Sequence, residues 1–192
     1  MAEVEITAGK RHRNLFGAFI KDRKGVTAVE FALIATPFLA IIAALIQTFL
    51  VFFAQSVLEN AVRASARQIL TGQVQLQDAS LSPSAAQTAF KNTVCSNANV
   101  LFNCAGLMVD VQVANNWSST NTGMPTLTYD TNGNVNNAWQ FNPGNAGDIV
   151  VLRVIYLWPI FLGPIAFNMA NQPNGSREIM ASAAFQNEPA TP

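Results

Sequence analysis

Charged residues are scarce in this chain of 192 residues, of which only 11% are Asp, Glu, Lys or Arg. Soluble domains usually carry about a quarter of such residues. The 11 basic and 11 acidic residues balance, which excludes the clustered positive charge of a nucleic-acid-binding surface. Half of the residues are hydrophobic, which excludes wholesale disorder. The composition therefore predicts one folded domain together with a segment that faces lipid.

Histidine is almost missing as well. His12 is the only one, and it lies close to the N-terminus. A Ser-His or Cys-His nucleophilic pair is therefore excluded from the rest of the chain, as is a histidine metal cluster. The sequence also contains no phosphate-binding or nucleotide fingerprint. We predict a protein that is not an enzyme and has no catalytic residues, no metal and no cofactor.

The acidic residues leave two smaller alternatives open. Asp110 and Asp148 could approach each other as an acid/base pair, although both adjoin predicted strands and are more simply explained as solvent-facing. Residues 130–134 imitate the beginning of a calcium loop, but Phe141 stands where the closing glutamate is needed. A plain hairpin turn is the preferred interpretation of that segment.

The few charges are distributed unevenly. Residues 1–24 contain six basic and three acidic residues, whereas residues 71–192 contain three basic and six acidic residues. Between them, residues 31–54 form a run of 24 residues without a charge. An α-helix of that length spans about 36 Å, which is enough to cross a hydrocarbon core of about 30 Å.

A buried helix of a soluble protein and a removable signal peptide are the alternatives to a membrane span. The run is long for either, and no small-x-small cleavage site precedes Gln55. The basic residues before the run place residues 1–24 in the cytoplasm by the positive-inside rule. We therefore predict a single-pass inner-membrane protein whose C-terminal domain is periplasmic.

The beginning of the apolar run is unusual because it contains a carboxylate. Glu30 lies between Val29 and Phe31, in a stretch that is otherwise uncharged from residue 25 to residue 58. An ionisable group in such a segment is costly, and it predicts a function with a specific partner. The alternative is an ordinary hydrated carboxylate at the membrane surface.

Residues 25–34, followed by Pro37, resemble the TadE-like family of Flp (tight adherence) pilus assembly proteins. A basic leader, a glycine and a glutamate five residues later are similar to the processing signature of type IV prepilins and pseudopilins. Residues 185–189 are similar to a motif that often closes TadE-like chains.

The resemblance implies a mechanism. A prepilin peptidase would cut between Gly25 and Val26, and the anion of Glu30 would compensate the new terminal amine of a neighbouring subunit. Glu30, Phe31 and Pro37 are the predicted subunit-assembly residues. The implied partners are the inner membrane, the peptidase, other pilus or pseudopilin subunits and the tight-adherence secretion machinery. An uncleaved anchor is the alternative, since related proteins differ in processing.

Pro37 interrupts the hydrogen bonding of the predicted helix. It lacks the amide proton that would bond to the carbonyl of Leu33, so it predicts a kink or a tolerated membrane proline. Thr36 could satisfy the freed carbonyl.

The predicted fold is α+β, a long N-terminal transmembrane helix that continues into a small external domain with an antiparallel sheet, as in pilins. The predicted domains are a leader at 1–25, the helix at 26–70 and the external domain at 71–192, with Asn/Gly-rich loops at 114–147. The helix should end at Thr71 and Gly72, and a second should run from Ser82 to about Val94. Strands are predicted over the following ranges: 107–113, 148–156 and 177–185, with a hairpin of 126–130 and 135–141.

Two features of the external part complete the expectations. Cys95 and Cys104 are predicted to form a disulfide, with two free thiols as the alternative. Residues 158–167 form a second apolar stretch, which is either a buried loop or an apolar docking patch or membrane-surface contact. Prolines and glycine within it argue against a second span.

The leading functional prediction is a membrane-anchored pseudopilin or minor pilus component that takes part in assembling a Flp-type pilus through helix–helix association. Incorporation into the extracellular fibre is left open. The alternative is an unprocessed, single-pass anchored module for surface binding or cell adhesion.

Overall fold

A computed structural model describes residues 25–161, 163 and 167–189. Within these residues, three α-helices precede a sheet of three strands. The chain divides into two compact units, residues 1–42 and 43–192. The helices are α1 (Val26–Leu70), α2 (Gln73–Asp78) and α3 (Pro83–Ser96), and the strands are β1 (Met108–Ala114), β2 (Ile149–Pro159) and β3 (Ser176–Gln186). This is the predicted α+β fold. Residues 1–24 of the predicted leader, with His12, lie outside the described residues.

The second half of α1 forms one wall of the core of the larger unit. Its buried positions recur every three or four residues, as expected for a helix that buries one stripe. They are Gln47, Val51, Ala54, Leu58, Ala61, Val62, Ser65, Ala66 and Ile69. The helix ends at Leu70, followed by Gly72 with φ of 75°, a backbone conformation that favours glycine. The predicted end of the helix is therefore confirmed.

The beginning of α3 also follows the sequence signals. Ser82 has an extended backbone, its Oγ accepts the N–H of Ala85 at 3.4 Å, and Pro83 occupies the first helical position. Cys95, in the last turn of α3, is joined to Cys104 in a disulfide, as predicted.

The sheet is antiparallel, with β2 between β1 and β3. One face packs against α1 and α3 through a shared apolar core; the sheet contributes Val109, Val111, Val150, Leu152, Val154, Ile179 and Ala181. The three predicted strands are confirmed, and β2 continues to Pro159, beyond the predicted end at residue 156. The reason is β3, which pairs with β2 along its whole length.

The predicted hairpin within residues 126–141 is only partly right. A turn with Gly133 at φ of 80° is present, but the two arms share a single bridge between Tyr129 and Val135. Instead, residues 140–142 bond to Val111 of β1: the N–H of Val111 donates to the carbonyl of Gln140, and the N–H of Asn142 to that of Val111, both at 2.9 Å. Residues 140–142 thus pair with the edge of β1 that β2 leaves free.

The buried-loop interpretation of residues 158–167 is wrong for Phe161 and Phe167, although Trp158 and Ile160 are partly buried against the core. Phe161 is 74% exposed and Phe167 is 49% exposed. The reason is that the core is already filled on this side by Tyr156 and Trp158, which pack edge-on against the ring of Phe102 at centroid distances of 4.9 and 5.8 Å.

Candidate functional site

The candidate site is the beginning of α1, which starts at Val26, directly after Gly25. Gly25 does not have a positive φ, and a Cβ atom added to it would meet no atom within 4 Å. Neither backbone conformation nor packing within the described residues therefore requires a glycine here. Both Gly25 and Val26 are exposed, so the peptide bond between them is accessible.

Glu30 lies one helical turn after Val26 and is exposed. Within the described part of the chain it has no hydrogen-bond or ion-pair partner. Its neighbours are apolar and exposed as well: Val29 is 63% exposed and Phe31 74%. The carboxylate is therefore isolated on an apolar surface, where a charge is unfavourable without a counter-charge.

That apolar surface covers the first half of α1. The most apolar window of 18 residues in the helix contains no buried residue. Among the described residues, α1 is the one helix that is long and apolar enough to cross a membrane. Its composition and exposure fit a membrane anchor. The large exposed side chains between residues 33 and 46 are Leu33, Ile34, Phe38, Leu39, Ile41, Ile42, Leu45 and Ile46.

Pro37 lies inside α1, which continues on both sides of it. The hydroxyl of Thr36 donates to the carbonyl of Ala32 at 2.7 Å. It does not reach the carbonyl of Leu33, as the sequence suggested, because a threonine hydroxyl in a helix bonds one turn back, at the fourth residue before it. The carbonyl of Ala32 therefore gains a second donor, whereas the neighbouring carbonyl of Leu33 is the one that Pro37 leaves free.

The other end of α1 is held by the C-terminal segment. The N–H of Glu188 donates to the carbonyl of Leu70 at 2.9 Å, and so satisfies one of the carbonyls left free at a helix end. Asn187 is buried, and its Nδ2 donates to the carbonyls of Pro143 and Asn145 at 2.9 and 3.0 Å. The segment 185–189 thus connects the last strand to α1 and to the loop before β2. In the sequence, only its similarity to a family motif had marked it.

Asp110 is not solvent-facing. It is 1% exposed and pairs with Arg153, whose Nε donates to Oδ2 at 3.0 Å. Its other oxygen, Oδ1, accepts the N–H of Gln140 at 2.9 Å. The expectation failed because parts of the segment between β1 and β2 lie over the face of the sheet opposite α1. Besides the bond from Gln140, Ser182 of β3 donates its hydroxyl to the carbonyl of Thr122.

Asp148 stands apart from Asp110. It precedes β2, whereas the partner of Asp110 in the register is Arg153, inside β2. Its Oδ2 accepts the N–H of Asn145 at 2.8 Å in a local turn. The structure does not bring the two carboxylates together, so the acid/base alternative does not apply to them.

Glu178 is a buried carboxylate that the sequence did not single out. One oxygen accepts from Nε2 of Gln172 at 2.6 Å, and Oε1 of Gln172 accepts the hydroxyl of Tyr129 at 2.7 Å. Burial raises the pKa of Glu178 above its ordinary value. Desolvation and then the charge of Glu178 raise the pKa of Tyr129. No sequence pattern marks this cluster because its members come from two loops and a strand.

The calcium-like segment is a turn. Oδ1 of Asp130 accepts the N–H groups of Asn132 and Asn134 at 2.9 and 2.8 Å. These bonds, chiefly those with Asn134, lower the pKa of Asp130. Within the described residues, no group of three or more His, Cys, Asp or Glu could hold a metal ion.

The described chain is thus an α+β protein with an exposed apolar helix that begins directly after a glycine and carries an unpaired glutamate in its second turn. Among protein families, the one described as TadE-like protein matches residues 25–67. The match confirms the resemblance predicted from the junction, and it indicates involvement in Tad pilus assembly, with an association with the membrane and the pilus assembly machinery. Comparisons with curated proteins and with solved structures found no match.

Proposed function

We propose that this protein is a pseudopilin or minor component of a tight-adherence pilus, anchored by α1 with its N-terminus in the cytoplasm and its C-terminal domain in the periplasm. A prepilin peptidase cuts after Gly25. The mature protein then assembles with other subunits through its helix. It acts as a structural component and not as an enzyme.

The observation that carries the proposal is the isolation of Glu30 on the exposed apolar surface of α1. Cleavage after Gly25 would place a positive amine on Val26, at the N-terminus of the helix, where the helix dipole disfavours it. The carboxylate of Glu30 on a neighbouring subunit would neutralise that amine. Two charges that are each costly in an apolar environment would then be paired in one contact, which favours association.

Gly25 supports the cleavage step. Since its φ is not positive and a Cβ atom would find open space, the glycine serves no visible purpose in the folded chain. A peptidase that requires a residue without a side chain at the cut explains why glycine stands there.

Two experiments test the proposal. The N-terminal sequence of protein from native membranes should begin at Val26 when the peptidase is active, and recovery of Met1 would contradict cleavage. Glu30→Gln should abolish pilus assembly while the protein remains in the membrane. Glu59→Gln is the matched control, because it removes a carboxylate from the same helix where Arg63 already pairs with it at 3.6 Å. Assembly that survives Glu30→Gln would favour the anchored adhesion module instead.

A further inference from the structure

We infer that Phe161 and Phe167, in the connection between β2 and β3, form a second membrane contact, in which their side chains insert among lipid acyl chains beside α1. This inference rests on the proposed anchoring of α1 in a membrane. It concerns a part of the chain that lies outside the family match, which ends at residue 67.

The first support is the exposure of apolar side chains beside the helix. Phe161 and Phe167 are among the exposed large hydrophobic residues of the larger unit. Phe161 and Trp158 line an apolar groove of about 200 Å³, whose helix side is formed by Ala43, Ile46 and Leu50. The connection therefore lies against a defined level of α1, between residues 43 and 50.

The second support is the depth at which residues 43–50 of α1 would lie in the membrane. A helix needs about 20 residues to cross the hydrocarbon core. Counted from Val26, where α1 begins, 20 residues end at Leu45, next to the groove. Nε2 of Gln47 donates to the carbonyl of Phe167 at 3.3 Å, which holds the connection at this level. If the span began later, for example after Glu30, the connection would lie deeper still.

The third support is the distribution of charge. Residues 154–176 contain no charged residue, and neither do residues 31–58 of α1. The next charge, Arg177, is opposite Trp158 in the register of β2 and β3, and its Nη1 donates to the carbonyl of Met169 at 3.1 Å. Tryptophan and arginine beside an uncharged apolar segment are typical of the membrane–water interface.

Lipid is the occupant that these observations favour over a second protein chain. Phe161 and Phe167 are exposed, and so are Phe49 and Phe53 of α1, whose rings stack with centroids 5.9 Å apart. The groove offers little polar surface to orient a protein partner, since Gln47 is the one polar residue among its described lining. A fluid hydrocarbon requires no such orientation.

The experiment measures the environment of single labels in the full-length protein, reconstituted into phosphatidylcholine vesicles. Phe161→Cys and Phe167→Cys each carry an environment-sensitive fluorophore; the two native cysteines do not react because they form a disulfide. Leu76→Cys is the matched control, an exposed apolar residue of α2, beyond the far end of α1. Lipids brominated on their acyl chains and aqueous iodide serve as the two quenchers.

The labels at 161 and 167 should lose most of their fluorescence with brominated lipid and be protected from iodide, whereas the label at 76 should show the reverse. Iodide quenching at 161 and 167 equal to that at 76 would overturn the inference. Protection from both quenchers would also overturn it, because a second protein chain would then cover the patch.

A label on Phe38→Cys separates this inference from the proposed function. Lipid quenching at 38 without quenching at 161 and 167 would reject the second contact and leave the anchor intact. A label at 38 that iodide reaches would reject the anchor itself, and the second contact with it.

Discussion

Asp110 and Arg153 face each other across β1 and β2 and form a buried ion pair in the middle of the sheet. The pair is not isolated. Nε2 of Gln112 also donates to the carboxylate of Asp110, at 3.0 and 3.1 Å from its two oxygens, and the N–H of Gln140 donates to Oδ1. The pair thus connects the sheet to the long polar segment that covers its outer face.

Arg153→Met should strongly destabilise the larger unit. The substitution leaves the carboxylate of Asp110 buried without its counter-charge, which costs about 3–5 kcal/mol in other proteins. The measurement is the free energy of unfolding of the full-length protein in detergent, followed by circular dichroism. Arg63→Met is the control, because Arg63 and Glu59 form an exposed pair worth at most about 1 kcal/mol.

The double substitution Asp110→Asn with Arg153→Met should recover much of that loss. Removing both charges avoids the desolvated, unpaired carboxylate and leaves an uncharged acceptor for the N–H of Gln140. A double variant that is less stable than Arg153→Met alone would show that the pair itself, and not the abandoned charge, accounts for the effect.

Glu178 should make the domain less stable as pH rises through the acidic range. Burial raises its folded-state pKa above the ordinary value of 4.5, so the folded state binds the proton more tightly. The stabilisation is complete below that ordinary value and is lost as pH rises through the raised pKa. Glu178→Gln should remove this dependence and raise the free energy of unfolding at neutral pH relative to the native protein.

Asp130→Asn provides the control of opposite sign. The pKa of Asp130 is lowered by the N–H groups that its carboxylate accepts, so its contribution is present at neutral pH and is lost as pH falls. The prediction on Glu178 is contradicted if unfolding curves of Glu178→Gln and the native protein change in parallel between pH 4 and pH 8.

Local signals account for most of the elements. Ser82 and Pro83 determine where α3 begins, and the alternation of Val109, Asp110 and Val111 predicts β1. The same alternation led to the wrong prediction that Asp110 faces solvent. It does not reveal that the irregular segment between β1 and β2 lies over that face of the sheet. One signal was present: β2 is apolar at almost every position around Arg153, which is typical of a strand buried on both faces.

The candidate functional residues likewise include some that the sequence predicts and some that it does not. The junction of Gly25 and Glu30 is readable because it lies in one contiguous segment that interrupts an apolar run. The cluster of Glu178, Gln172 and Tyr129 is not readable, since long-range packing brings its members together. The role of residues 185–189 is not readable for the same reason, because Asn187 and Glu188 bond to residues that are distant in the sequence.

Replacing Cys95 and Cys104 by serine should lower the free energy of unfolding by about 2–3 kcal/mol, because the disulfide no longer restricts the unfolded chain. Denaturant unfolding under non-reducing conditions measures the loss. Adding a reductant should destabilise the native protein by a similar amount and leave the serine variant unchanged. A serine variant as stable as the native protein would show that the cross-link does not constrain the unfolded state.

Asn187→Ala should loosen the attachment of the C-terminal segment to α1. It removes both hydrogen bonds from Nδ2 and leaves the carbonyls of Pro143 and Asn145 without these donors, at a cost of about 1–3 kcal/mol. The effect should be largest near the end of α1, because Glu188, the next residue, donates its N–H to the carbonyl of Leu70.

Amide hydrogen exchange tests this directly. In Asn187→Ala, the amides of Glu188 and of the turn at Gly72 should exchange faster, while those in the middle of β2 keep their protection. Asn97→Ala is the matched control, since Asn97 is exposed and its Nδ2 donates to one carbonyl, that of Thr93. Equal acceleration throughout the sheet would mean that Asn187 supports the whole fold, whereas no acceleration at Glu188 would mean that the C-terminal segment is held without it.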